Sequence, residues 1–75
     1  MNKNDRKALS VAISHLNLAR ETIENVRDDE QTKFDNLPEG LQQGETGQKL
    51  EENVSELEAS LESVEAAIDA LEGLV

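Results

Sequence analysis

Few side chains in this chain of 75 residues could carry out catalysis. His15 is the only histidine, and there is no cysteine. A single imidazole without an evident partner forms neither a catalytic pair nor a metal site, and the sequence has no phosphate-binding loop and no Glu-x-x-His pair. His15 is therefore interpreted as a packed or surface residue. The sequence predicts a protein that is not an enzyme and uses no cofactor.

A cluster of oxygen-bearing side chains lies in the middle of the sequence: Asp28, Asp29, Glu30, Asp35, Asn36 and Glu39. The cluster lacks the alternating acidic spacing and the central glycine of a calcium-binding EF-hand loop. We interpret it as a solvated helix end, and no metal site is predicted. Glu30 is a special case because it also falls on an apolar helical stripe, where a charge without a partner is costly. Lys33 or a backbone donor is expected to supply that partner.

Negative charge is the strongest chemical feature of the sequence, with a formal net charge of -10. Six carboxylates of the second half lie along one predicted helical stripe, here called the acidic stripe: Glu51, Glu58, Glu62, Glu65, Asp69 and Glu72. The stripe could be a face that keeps the protein soluble. It could also mimic nucleic acid and occupy the DNA- or RNA-binding cleft of a host protein. Direct binding to nucleic acid or to anionic lipid is disfavoured, because like charges repel.

Two predicted helices position these side chains. In the first, apolar or small residues recur at the a and d spacing of heptads, namely Leu9, Ala12, Leu16, Ala19, Ile23 and Val26, and position e adds Ile13 and Phe34. Asn4 or Asp5 can cap the start of this helix. The residue before Pro38 is disfavoured in helical geometry, so helix one is predicted over about residues 5–36.

The second helix has the more regular apolar pattern, with a spacing of three and four throughout: Leu50, Val54, Leu57, Leu61, Val64, Ile68, Leu71 and Val75. Thr46 is its predicted N-cap, and Gly47 would allow a close approach of the facing chain. Gly73 is placed to end the helix in a left-handed turn. Helix two is thus predicted over about residues 47–73, after a glycine-rich turn at about 37–46.

Two long helices joined by so short a turn must lie side by side, so the predicted fold is all-α. It is an antiparallel two-helix hairpin that forms one domain over residues 1–75. The e positions then bring Arg20 beside Glu65 and Arg27 beside Glu58. Each exposed ion pair contributes only about 0 to 1 kcal/mol, so these pairs would mainly specify the alignment of the helices.

The opposite flank of the hairpin is predicted to be a self-association surface. Helix one places Val11, His15 and Leu18 where a monomeric hairpin would carry charge, and helix two offers the small residues Ala59, Ala66, Ala67 and Ala70. A chain this short buries only a modest share of its surface when it folds alone. A homodimer that forms a four-helix bundle is therefore expected. The alternative is a set of scattered exposed apolar side chains, which are common on monomers.

The location of the protein is predicted from features that it lacks. Its polar start, Met1 to Lys7, leads into no continuous apolar run, so neither a signal peptide nor a membrane-spanning segment is expected. The absence of cysteine gives no indication of secretion. A cytoplasmic setting follows.

The turn carries a family resemblance. The sequence Asp35-Asn-Leu-Pro-Glu-Gly-Leu-Gln42, followed by Gly47 and by the stretch Leu50 to Glu58, resembles small acidic proteins of uncharacterised function from phages and prophages of Gram-positive bacteria. The resemblance covers roughly residues 28–72, and the turn is its most specific part. It implies a helical hairpin and a phage origin, which would place the protein in the host cytoplasm, and it implies no activity.

Overall fold

The computed structural model describes all residues, 1–75, and its only regular elements are helices. Helix α1 spans Lys3–Asp35, the short helix α2 spans Glu39–Gln42, and helix α3 spans Glu45–Glu72. Helices α1 and α3 pack against each other to give a rod of 58 × 14 × 12 Å. The chain is the predicted all-α hairpin, and the predicted turn contains an additional helical turn, α2.

The start of α1 differs from the prediction. The helix begins at Lys3, and its cap is Asn2, whose side-chain oxygen accepts a hydrogen bond of 2.7 Å from the backbone N–H of Asp5. The predicted caps Asn4 and Asp5 are therefore wrong, because both lie inside the first turn of the helix. The other end of α1, at Asp35, agrees with the expectation from Pro38.

The ends of α3 also differ in detail. Gly44 is the N-cap residue and Thr46 lies within the helix, so the predicted cap is wrong by two residues. Gly73 follows the last helical residue, as predicted, but its φ of -67° is right-handed. Because Gly73 continues in helical geometry, the predicted left-handed ending does not form.

On α3 the seam between the helices follows the predicted apolar stripe. Val54, Leu61 and Ile68 are the only buried side chains of the molecule, and Leu61 is only 4% exposed. They are seven residues apart and take every second position of the stripe. The alternate positions of the stripe are half-buried: Leu50, Leu57, Val64 and Leu71. The predicted face of helix two is thus the one that contacts helix one.

On α1 the seam is rotated relative to the prediction. The half-buried positions follow the a and e spacing, whereas Ala19 and Val26, predicted at d, are exposed. The e positions include Ile13 and Phe34, which are larger than the alanines at d, so turning the e positions inward removes more apolar surface from water. Arg20 and Arg27 fill the two e positions between them, where their aliphatic stems can cover apolar surface.

Candidate functional site

The one side-chain hydrogen bond between α1 and α3 involves the charged residue on the apolar stripe. Asn53 Nδ2 donates to Glu30 Oε2 at 2.9 Å, and Lys33 Nζ lies 3.0 Å from Glu30 Oε1. The Glu30 side chain is only 14% exposed. Lys33 is the partner that the sequence indicated. Asn53 supplies a second donor from the facing helix, which the sequence analysis did not identify.

The hydrogen bonds also set the charge state of this cluster. Hydrogen bonds from Asn53 and, to a smaller extent, from Lys33 lower the pKa of Glu30 below its ordinary value. The hydrogen bond to Glu30 raises the pKa of Lys33. Glu30 is therefore a carboxylate at neutral pH and both of its oxygens are partnered. The cluster holds the helices together and leaves no group poised to react.

The same contact fixes the alignment of the two helices. Glu30 lies opposite Asn53, and Val26 and Leu57, four residues away on each helix, line one shallow cavity beside them. The predicted alignment would instead place Glu30 opposite Ser55. The observed alignment is thus shifted by about two residues, roughly half a helical turn.

The predicted cross-helix ion pairs do not form. Arg20 Nε lies 3.5 Å from Glu24 Oε1, and Arg27 Nη2 lies 3.1 Å from Asp28 Oδ1, both within α1. Neither arginine pairs with its predicted partner, Glu65 for Arg20 and Glu58 for Arg27. The two arginines instead pair with carboxylates that lie within reach on their own helix. Arg27 nevertheless borders a shallow groove with Glu58 and Glu65, so it lies on the expected flank.

The acidic stripe lies on α3 along that flank. All six of its side chains are exposed: Glu51, Glu58, Glu62, Glu65, Asp69 and Glu72. The three ion pairs of the structure involve none of them. The stripe is therefore less neutralised by arginine than the sequence suggested. No group of three or more His, Cys, Asp or Glu side chains is arranged to hold a metal ion.

The opposite flank carries no charge over most of its length and is called the uncharged face. On α1 it consists of Ala8, Val11, Ala12, His15, Leu18, Ala19, Thr22 and Val26, and on α3 of Ala59, Ser60, Ser63, Ala66, Ala67, Ala70 and Leu74. All are exposed except Ala12, which is half-buried. The face includes all seven residues predicted for self-association. Val26 lies on the uncharged face because α1 is rotated relative to the prediction. The sequence pattern gave no separate indication of this rotation.

Exposure of large apolar side chains is concentrated on α1 of this face. Val11 is 51% exposed, Leu18 62% and Val26 45%. They follow one another along the same side of the helix, so they form a stripe and are not scattered. The face ends at Glu30 and Glu56, which border the cavity beside Val26. This arrangement can pack against another apolar helical surface.

Comparisons with models of protein families, with curated proteins and with solved structures found no significant match to this chain. None of its helices combines the length and the apolar character that crossing a lipid bilayer would require. What can be proposed about function therefore rests on the surfaces described above.

Proposed function

We propose that the protein is a non-enzymatic helical module that associates with a second copy of itself, and that it serves as a structural or protein-binding component. The uncharged face is the single observation that carries this proposal. Val11 and Leu18 at its centre have more than half of their surface in water. A partner helix would remove that surface from water, which is favourable in proportion to the apolar area buried.

The small core of the hairpin supports the proposal. Only three apolar side chains are buried in a single copy: Val54, Leu61 and Ile68. Chains of this size that lack disulfides or metals commonly rely on association for stability. A second copy packed on the uncharged face would form a four-helix bundle, in which each hairpin completes the core of the other.

Self-association is tested by adding charge at the centre of the uncharged face. The double variant Val11→Glu, Leu18→Glu is expected to halve the mass seen by size-exclusion chromatography with light scattering. A carboxylate buried in an apolar interface without a partner carries a large desolvation cost. The matched control is Ser10→Glu, Ser55→Glu, which adds the same charge at exposed positions outside the uncharged face and should leave the mass unchanged. A wild-type protein that is folded and monomeric would contradict the proposal.

A second function is favoured by the acidic stripe. Between Glu58 and Glu72, five carboxylates extend over about 21 Å of helix, or about one charge per 5 Å. A DNA strand carries one phosphate per 3.4 Å or so, a comparable density. Because the ion pairs of the structure leave these carboxylates unneutralised, the stripe could imitate a nucleic-acid strand. On this alternative the protein inhibits a host DNA- or RNA-binding protein.

A pull-down at a series of salt concentrations distinguishes nucleic-acid mimicry by the acidic stripe from self-association. If the stripe mimics nucleic acid, immobilised protein should capture nucleic-acid-binding proteins from a bacterial lysate and lose them by about 0.5 M salt, where screening is strong. Replacing Glu58, Glu62 and Glu65 with glutamine should abolish that capture. Capture that persists with the glutamine variant, or capture of the same chain alone, would contradict the alternative.

A further inference from the structure

We infer that the second copy lies antiparallel to the first, with a two-fold axis that crosses α1 between His15 and Leu18 and crosses α3 between Ala66 and Ala67. In this arrangement α1 contacts α1 of the partner, and α3 contacts α3 of the partner. The inference rests on the proposed function and adds to it the orientation and register of the partner.

The first argument is that the uncharged stretches of the two helices share one centre. On α1 a row of exposed uncharged residues, here called the α1 stripe, runs from Ala8 to Asn25 at the outer edge of the uncharged face, so its centre lies between Leu16 and Asn17. On α3 the small-residue stretch runs from Ala59 to Leu74, with its centre between Ala66 and Ala67. Leu16 lies 14 residues before Glu30 and Ala67 lies 14 residues after Asn53, and those two residues are hydrogen-bonded. The two centres are therefore at the same level, and one axis can pass through both.

The second argument is that the α1 stripe is complementary to its own reverse. Its spacings of three and four residues read the same from either end: Ala8, Val11, His15, Leu18, Thr22 and Asn25. A two-fold axis at the centre places His15 against Leu18, and Val11 against Thr22, with Ala8 against Asn25 and the adjacent Val26. In a two-fold interface each such contact occurs twice. No charged residue lies within the stripe.

The third argument is the charge beyond the two ends of the stripe. Residues 3–7 hold Lys3, Arg6 and Lys7 against one acidic residue, a net charge of +2. Residues 27–31 hold Asp28, Asp29 and Glu30 against one arginine, a net charge of -2. An antiparallel partner related by this axis brings each basic segment to an acidic one. Complementary charge of this kind fixes the register of an interface.

The fourth argument is area. From Ala8 to Val26 the face is about 27 Å long, and two adjacent helices are about 20 Å wide. The projected area is then roughly 500 Å² per copy, or on the order of 1,000 Å² for the pair, which is the lower bound for a specific interface. A contact through α1 alone would supply about half of this. Both helices must therefore take part, as they do in the arrangement about the shared axis.

The absence of native cysteine allows the arrangement to be tested by cross-linking. Two variants are made, Ala8→Cys and Val26→Cys, and one of them carries a tag. They are mixed, left until their subunits have exchanged, and then oxidised. The inferred arrangement predicts a disulfide between the two variants and none between copies of the same variant. Identical cysteines would be about 27 Å apart along the helix, far beyond the Cβ separation of about 4 Å that a disulfide spans. Each reduced variant is first checked for unchanged helicity and mass.

The outcomes distinguish the inference from the proposed function. A mixed disulfide as the dominant product supports the antiparallel arrangement, and an Ala67→Cys variant, close to the axis, should then link to itself. Disulfides within Ala8→Cys or within Val26→Cys, or a dimer by mass that yields none of these links, overturn the arrangement while self-association stands. A monomeric mass overturns the proposed function and the arrangement with it.

Discussion

Replacement of Leu61 by alanine is expected to lower the free energy of unfolding by about 2 to 5 kcal/mol. Leu61 is one of only three buried apolar side chains and lies at the middle of the α3 seam. Its truncation removes apolar contact and leaves a cavity that two rigid helices cannot close. In a domain of this size, each kcal/mol lowers the midpoint of thermal unfolding by about 4 to 8 °C. Circular dichroism at a fixed protein concentration measures the shift.

Leu41→Ala is the matched control for this prediction. Leu41 lies in α2 and is 54% exposed, so the same chemical change should alter stability by less than about 0.5 kcal/mol. Both proteins must be compared at one concentration, since association makes the midpoint depend on concentration. Equal losses from the two variants would show that the seam at Leu61 is not the core of the hairpin.

The helical content, the hairpin and the α3 stripe could be predicted because the signals for them are local and redundant. The α3 stripe repeats over eight positions, and the turn residues lie together between Leu37 and Gly47. The rotation of α1 could not be predicted in the same way. Position d carries small residues at Ala12 and Ala19, position e carries Ile13 and Phe34 as well as two arginines, and the choice between the two positions depends on the facing helix. Packing against α3 decides which position faces the seam, and the periodicity of α1 alone does not distinguish position d from position e.

The candidate surfaces were also predictable from the sequence only in part. Exposure of the residues proposed for self-association followed from the heptad pattern, because that pattern places Val11 and Leu18 away from the seam. The ion-pair partners of Arg20 and Arg27 could not be predicted from the heptad pattern, because a charged side chain pairs with the nearest carboxylate that its rotamers can reach. Glu24 and Asp28 on the same helix lie within pairing distance, and no carboxylate of α3 does. Prediction from sequence was therefore sound for faces and unreliable for individual pairs.

The separation of the two flanks has a consequence for any function of the protein. The acidic stripe and the uncharged face lie on opposite sides of a rod only 12 to 14 Å thick. A dimer formed through the uncharged face would leave both acidic stripes in solvent, one on each outer side. Self-association and an acidic binding surface are therefore compatible in one molecule, and the charge itself would prevent further stacking of dimers.

Replacement of Gly47 by alanine is expected to destabilise the turn severely, by about 3 kcal/mol or more, the upper range for overpacking a close contact. Gly47 is buried in the first turns of α3. A Cβ atom there would lie 2.5 Å from the carbonyl carbon of Gln42 and 2.6 Å from its Cα, and closer still to its carbonyl oxygen. Because these are backbone atoms, no side-chain rotation can relieve the clash. Gln42 is also held by a hydrogen bond of 3.0 Å from its side chain to the carbonyl oxygen of Phe34.

Gly40 provides the internal control, because the same substitution there should have the opposite sign. A Cβ atom at Gly40 meets nothing within 4 Å, and the residue lies in α2 with no positive φ. Alanine at Gly40 should therefore stabilise the helical turn by up to about 1 kcal/mol. Urea unfolding of both variants measures the sign of each change in the free energy of unfolding. Hydrogen exchange of the amides from Leu41 to Gln48 locates the effect of Gly47→Ala in the turn. If Gly47→Ala were as stable as Gly40→Ala, α2 could not lie against α3 as described, and the close approach at Gln42 would be wrong.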